Sequence, residues 1–150
     1  STYPDIALSA CCVALTWFDE RDGNSEVYLF IGTLAQLRPG IHRNAVRVTR
    51  TPGASIGAYV AWNGSRVGLA WSDDSSGQFE VFSRVFDARG VAQGAQVRHT
   101  RTPAHSLIPA IRPWDDGFAL AWNEYEAGDG SPSQHARGSG SRGMIAVRPR

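Results

Sequence analysis

From Val13 to Trp17 the chain sets a large apolar side chain at every second position (Val13, Leu15, Trp17), with Ala14 and Thr16 between. The alternation returns at Val67-Gly68-Leu69-Ala70-Trp71 and at Phe118-Ala119-Leu120-Ala121-Trp122. A period of two is the strand period, and it gives each strand one heavy face and one face that a neighbouring sheet can approach closely. Helix is a poor alternative, because β-branched and aromatic residues recur at that period and turn signals interrupt every few residues. A shorter strand is predicted before each: Tyr3 to Leu8, Gly57 to Trp62, and Ile108 to Pro113. The turns between are Ser9 to Cys12, Asn63 to Arg66 and Trp114 to Gly117, where Asn-Gly and Asp-Gly supply hairpin chemistry.

Past each anchor tryptophan comes an acidic turn and a third strand, Glu26-Val27-Tyr28-Leu29-Phe30 matching Glu80-Val81-Phe82-Ser83-Arg84. A weaker fourth strand follows at Ala45 to Thr49 and at Ala95 to His99. The segment Arg50-Thr51-Pro52-Gly53-Ala54-Ser55 returns as Arg101-Thr102-Pro103-Ala104-His105-Ser106. The anchors Trp17, Trp71 and Trp122 lie 54 and 51 residues apart, a period at which sequences build stacked arrays or propellers. The first copy carries three extra residues around Leu37-Arg38-Pro39-Gly40, expected to form a surface loop. In the third copy the stretch from Ala127 to Arg142 is expected to be a long polar loop, and Met144 to Arg148 a late third strand, with the fourth absent.

Composition narrows the classes. At 42% hydrophobic and 19% charged, with no apolar run near the ~20 residues of a membrane span, the chain predicts a globular protein without a transmembrane segment. All fifteen basic residues are Arg, yet the formal net charge is +1, which argues against a nucleic-acid partner. The basic end from residue 131 onward reads as solvated surface. The two cysteines are adjacent, Cys11 and Cys12, so any intrachain bridge is a vicinal one; otherwise they are two small turn residues. Four scattered His without partner Cys predict no metal site, and no cofactor motif is present. The chain opens on Ser without an apolar leader, as expected of a processed form or an excerpt. An extracytoplasmic setting is the expectation, although no cysteine framework fixes the compartment.

Four antiparallel strands per unit of about fifty residues, with tryptophan closing the second strand and an acidic turn after it, resemble a β-propeller blade. The run Ala70-Trp71-Ser72-Asp73-Asp74-Ser75-Ser76-Gly77-Gln78-Phe79-Glu80-Val81-Phe82 resembles the repeat of bacterial propeller proteins and, with one residue too many before Gly77, the Asp-box turn of sialidases. The resemblance implies an all-β propeller with blades at residues 1–53, 54–104 and, in part, 105–150. It carries no sialidase activity, because the catalytic arginines and tyrosine of that family have no counterpart motif here. Ring closure typically takes four or more blades. The chain is therefore expected either to belong to a longer propeller or to pair as a homodimer completing a six-bladed ring, since a monomer would leave two sheet faces wet, including the neighbourhoods of Trp17 and Trp122; the third alternative is an open stack of sheets, which would expose a large apolar face and invite aggregation.

Candidate chemistry follows from the departures between copies. Asp19, Asp73 and Glu124 recur two residues past each anchor and read as turn acids accepting backbone N–H bonds. Arg47 and Arg98, and Arg50 and Arg101, are expected on solvated edges that discourage further pairing. Trp62 and Trp114 border the first hairpin turn without coinciding, beside Asn63, Arg66, Asp115 and Asp116. Those residues are the usual equipment for stacking on a sugar and bonding its hydroxyls, and they form the candidate ligand site. No nucleophile signature is present, so no catalytic residue is expected. A non-catalytic module binding a carbohydrate or protein is the leading expectation. The rivals are a glycosidase-type hydrolase using Asp73, Asp74, Asp115 or Glu124, and a purely architectural fragment.

Overall fold

The computed structural model describes residues 2–125 and, as backbone, 142–147. Its strands are Thr2–Leu8 (β1), Val13–Asp19 (β2), Glu26–Gly32 (β3), Val46–Arg47 (β4), Ser55–Asn63 (β5), Arg66–Asp73 (β6), Glu80–Asp87 (β7), Val97–Arg98 (β8), His105–Trp114 (β9), Gly117–Tyr125 (β10) and Arg142–Val147 (β11). Among the described residues they form three antiparallel sheets with neighbours in chain order: β1 to β4, β5 to β8, and β9 to β11. The fold is all-β, built on four-stranded antiparallel units. β11 pairs along β10 from Phe118↔Val147 to Asn123↔Arg142, where the late third strand is predicted. The polar loop expected from Ala127 lies, Arg142 apart, outside the described residues.

The sheets pack face to face in chain order, β5 against β1 and β2, and β9 against β5 and β6. Alternation explains the fit. Val67, Leu69 and Trp71 of the second sheet share a core with Ala14, Val27, Leu29 and Val48 of the first. Phe118, Leu120 and Trp122 of the third share one with Ala61, Ala70 and Val81 of the second. Large side chains thus enter the small-residue face of the preceding sheet. Gly68 marks a close approach of the third sheet to the second, because a Cβ there would stand 2.8 Å from the Phe118 ring.

Each first strand bends at one extra residue opposite the anchor tryptophan: Tyr3, Gly57 and Ile108, with φ of 49°, 58° and 55°. Only the glycine enters this left-handed region without steric cost, and a β-branched residue there is an outlier.

The expectation of solvated edge arginines fails at Arg47 and Arg98. Glu26 and Glu80, which open β3 and β7, are fully buried, and a buried carboxylate demands compensation. Arg47 Nη2 donates to Glu26 Oε1 at 3.0 Å and Arg98 Nη2 to Glu80 Oε1 at 2.9 Å. The hydroxyls of Thr49 and Thr100 donate to the second oxygen of each acid and accept the Val27 and Val81 amides, both at 2.9 Å. Burial of the acid therefore draws each arginine inward; Arg50 and Arg101 remain exposed.

The expectation of wet aromatics fails too. Trp17 is 4% exposed and Trp122 is 7% exposed. Trp122 faces the second sheet, and Trp17 is covered by its sheet neighbours together with Leu37, Ile41 and Ala45 of the β3–β4 connection. The exposed large apolar residues of the first sheet are instead Tyr3, Ile6 and Leu8 on β1 and Val46 on β4.

Candidate functional site

Strand alternation places the β1–β2, β5–β6 and β9–β10 turns at one end of the sheets, together with the β3–β4 and β7–β8 connections. The β2–β3 and β6–β7 turns and the sheet-to-sheet connectors lie at the other end. Trp62, Arg66, Trp114, Asp115 and Asp116 all fall at the first, the loop end.

Two adjacent turns are tied together there. Asn63 Nδ2 donates to Asp115 O (3.0 Å) and Gly117 O (2.6 Å), and Arg66 Nη1 donates to Asp116 O at 2.9 Å. The second sheet thereby pins the backbone of the third sheet's hairpin, whose Asp115 holds φ 51° where the matching turn has Gly64 at 61°. Above this pinned backbone Trp114 is 58% exposed, and both aspartates are exposed. Trp62 is placed differently. Half-buried, it packs against the core between the first two sheets and its indole N–H donates to Ala7 O at 3.1 Å. Asn63, a turn residue and neighbour of the candidate site in the sequence, supplies two of the three clamping bonds and Arg66 the third.

The third loop-end turn carries a Cys11–Cys12 disulfide. Ser9 closes it, its amide donating to Cys12 O at 2.8 Å and its Oγ accepting the Cys12 amide at 3.1 Å. Cys11 is exposed and Cys12 half-buried.

At the connector end the recurring acids are occupied. Asp73 accepts from Thr51 Oγ1 (2.8 Å), Ser55 Oγ (2.7 Å) and the Ser75 amide (3.0 Å). Burial pushes its carboxyl up, but the hydrogen bonds of Ser55, Ser75 and Thr51 outweigh that and hold it below the usual carboxylate range. Glu124 accepts from Thr102 Oγ1 (3.0 Å), Ser106 Oγ (2.9 Å) and Trp122 Nε1 (2.7 Å). Asp19 accepts from the Arg21 amide (3.1 Å) and from Arg21 Nε (2.8 Å), and takes the Trp17 N–H at 3.3 Å. Asp19 and Asp73 thus serve the turns they open, as the sequence implies. Asp19 and Glu124 each take the N–H of their own anchor tryptophan, whereas the Trp71 N–H, fully buried, has no hydrogen-bond partner.

Ser83 Oγ lies 2.8 Å from His99 Nε2, and burial holds that imidazole below the usual histidine range. The pair does not make a nucleophile. Ser83 is buried, and no carboxylate among the described residues bonds to His99. Its place in the first sheet is taken by Leu29 and Val48, both core residues. Among the described residues no group of three or more His, Cys, Asp or Glu side chains is placed to hold a metal ion. No described helix is long and apolar enough to cross a membrane.

No family model, curated protein or solved structure matches this chain.

Proposed function

We propose that the chain is a non-catalytic, propeller-type module, with residues 1–53, 54–104 and 105–150 as successive blades, that binds a carbohydrate or protein through its loop end. The observation that carries the binding reading is the clamp: Asn63 and Arg66 fix the backbone of the turn that follows the exposed Trp114 and carries the exposed Asp115 and Asp116. An exposed indole on the same turn as two aspartates offers an apolar plane for the C–H face of a sugar and acceptors for its hydroxyls. Trp62 and Arg66 contribute by position, the first seating β5 on β1 and the second holding the turn.

The blade reading rests on recurrence. The left-handed bulge, the buried Glu–Arg–Thr group and the hydroxyl clasp of the strand-ending acid return at the offsets of the repeat.

A hydrolase fits less well. Paired glycosidase carboxylates stand ~5 to 9.5 Å apart. Asp73 and Asp115 lie at opposite ends of their sheets, separated by strands of eight and nine residues, ~25 Å at 3.3 Å per residue. Asp73 and Glu124 have their oxygens engaged by hydroxyls, and Asp74 Oδ1 accepts the Ala54 amide at 2.6 Å.

The test is a glycan array followed by titration with the wild type, Trp114→Ala and the doubly substituted Asp115→Asn/Asp116→Asn. Binding should weaken at least tenfold in each variant, ~1.4 kcal/mol. Retention of binding by Trp114→Ala moves the site elsewhere. Turnover of an aryl-glycoside, lost on replacing any one of these acids, overturns the non-catalytic reading.

A further inference from the structure

The first sheet departs from the second on one face, the side of β2 and β3 that carries Val13, Leu15, Trp17, Tyr28 and Phe30. In the second sheet the matching residues Val67, Leu69, Trp71 and Phe82 pack against the first sheet. In the first sheet the outer half of that face is covered by the chain itself. Leu37, Ile41 and Ala45, from the segment read in the sequence as a surface loop, pack on Val13, Trp17, Tyr28 and Phe30. Two 3-10 turns, Leu34–Gln36 and Ile41–Asn44, shape this strap. Gly32 lets it lie close: a Cβ there would stand 2.6 Å from Gln36 Oε1 and 2.7 Å from the Phe30 ring.

A polar lid completes the cover. Tyr28 stands where the second sheet has Phe82, and its hydroxyl donates to Asp22. Asp22 pairs with Arg47 at 3.1 Å. Arg21, where the second sheet has Ser75, forks onto Asp19 and lies 4.4 Å over the Tyr28 ring. Ser75, Ser76 and Phe82 could not form this lid. Burial and the Asp22 hydrogen bond push the Tyr28 phenol up to about 12, so it remains a neutral donor. Stacked repeats characteristically end in such a polar outer face.

We infer that residues 33–45 and the Arg21–Asp22–Tyr28 lid are a built-in cap that keeps another sheet off the first one, so that two copies of this chain do not join third sheet to first. The inference rests on the blade-stack reading and not on the ligand, which the glycan experiment tests separately. It opposes the six-bladed homodimer anticipated from the sequence. What the cap leaves open on that face is the narrow stripe of Ile6 and Leu8 on β1.

The test is sedimentation velocity across micromolar concentrations on three proteins. They are the wild type, a lid variant carrying the second copy's residues (Arg21→Ser, Asp22→Ser, Tyr28→Phe), and that variant with Leu37→Ser and Ile41→Ser added. The wild type should sediment as a monomer. The uncapped proteins should associate with rising concentration, and Ala119→Arg on the small-residue face of the third sheet should abolish that association. A wild-type dimer dissociated by Ala119→Arg overturns the inference. So does a fully uncapped protein that keeps its far-UV circular dichroism and stays monomeric. Should the strap substitutions prevent folding, the lid variant decides alone, because its residues are those the second sheet already carries.

Discussion

The contact of Gly68 with Phe118 gives the packing rule a quantitative test. A methyl group on Gly68 would meet three atoms of the Phe118 ring at 2.8 Å, well inside van der Waals contact, and the ring is 1% exposed between two sheets with little room to retreat. Overpacking of this kind costs ~1–3 kcal/mol, against ~0.5–1 kcal/mol recovered by removing a strand glycine. Gly68→Ala should therefore destabilise by ~1 kcal/mol. Phe118→Val alone empties part of the interface and should cost ~2–3 kcal/mol, below the ~3–5 kcal/mol of Phe→Ala. Together the changes recreate the Ala14 and Val67 combination of the neighbouring junction. The new methyl then fills the space the ring vacated, and the double variant should be more stable than Phe118→Val. Urea melts followed by far-UV circular dichroism would close the cycle, with an expected favourable coupling of ~1–3 kcal/mol. Additivity within ~0.5 kcal/mol would refute the claim that the sheets meet at this pair.

Thr100→Val preserves shape but removes the hydroxyl between Glu80 and the Val81 amide, and should cost ~2–3 kcal/mol in the same melts, while exposed Arg101→Ala stays within ~0.5 kcal/mol. Ile108→Gly places glycine where the second sheet has Gly57 and should stabilise by ~1 kcal/mol, the left-handed penalty of a branched residue exceeding the entropy cost of glycine. His99 titrates below its ordinary value in the folded chain, so the unfolded chain takes up its proton first as pH falls. Stability, full above the ordinary histidine value of ~6.5, should decline through it toward the folded value, and Ser83→Leu/His99→Val, the pair found in the first sheet, should flatten that slope in urea midpoints against pH. Asp73 adds a separate loss below the ordinary carboxylate range, as pH falls through its lowered folded value, and Ser55→Ala should shift that loss to higher pH. Iodoacetamide should label neither cysteine until a reductant is added, and then both, as read by mass spectrometry.

Strands were legible because apolar alternation and Asn-Gly or Asp-Gly turns act locally, and the junctions because Gly68, Ala70 and Ala14 announce a close approach. Arg98 misled because its partner, Glu80, lies on a different strand, and a repeated charge on an outer strand is ordinarily solvated. The recurring Arg-x-Thr of Arg47 to Thr49 and Arg98 to Thr100 was the available signal. The strap was hidden for a related reason. An insertion with Pro39 and Gly40 has loop chemistry, and only the spacing of Leu37, Ile41 and Ala45 hints that it folds back. Tyr3 and Ile108 in left-handed geometry contradict local preference, so only their alignment with Gly57 could reveal the bulge. At the loop end Trp62 and Trp114 look alike in the sequence. The Ala7 carbonyl, reached from the neighbouring sheet, separates them.

Thr51 has a consequence for how the molecule comes apart. Its amide donates to Glu26 of the first sheet at 3.1 Å, while its hydroxyl donates to Asp73 of the second at 2.8 Å. Asn24 holds the same residue's carbonyl at 2.9 Å. The boundary between sheets therefore runs through the middle of a hydrogen-bond network instead of a slack linker, and neither sheet can open without cutting bonds that belong to the other. Connectors ordinarily exchange their amide protons through low-energy local openings. Here the Thr51 amide should exchange in step with the β2 and β6 strands, making the first two sheets one unfolding unit.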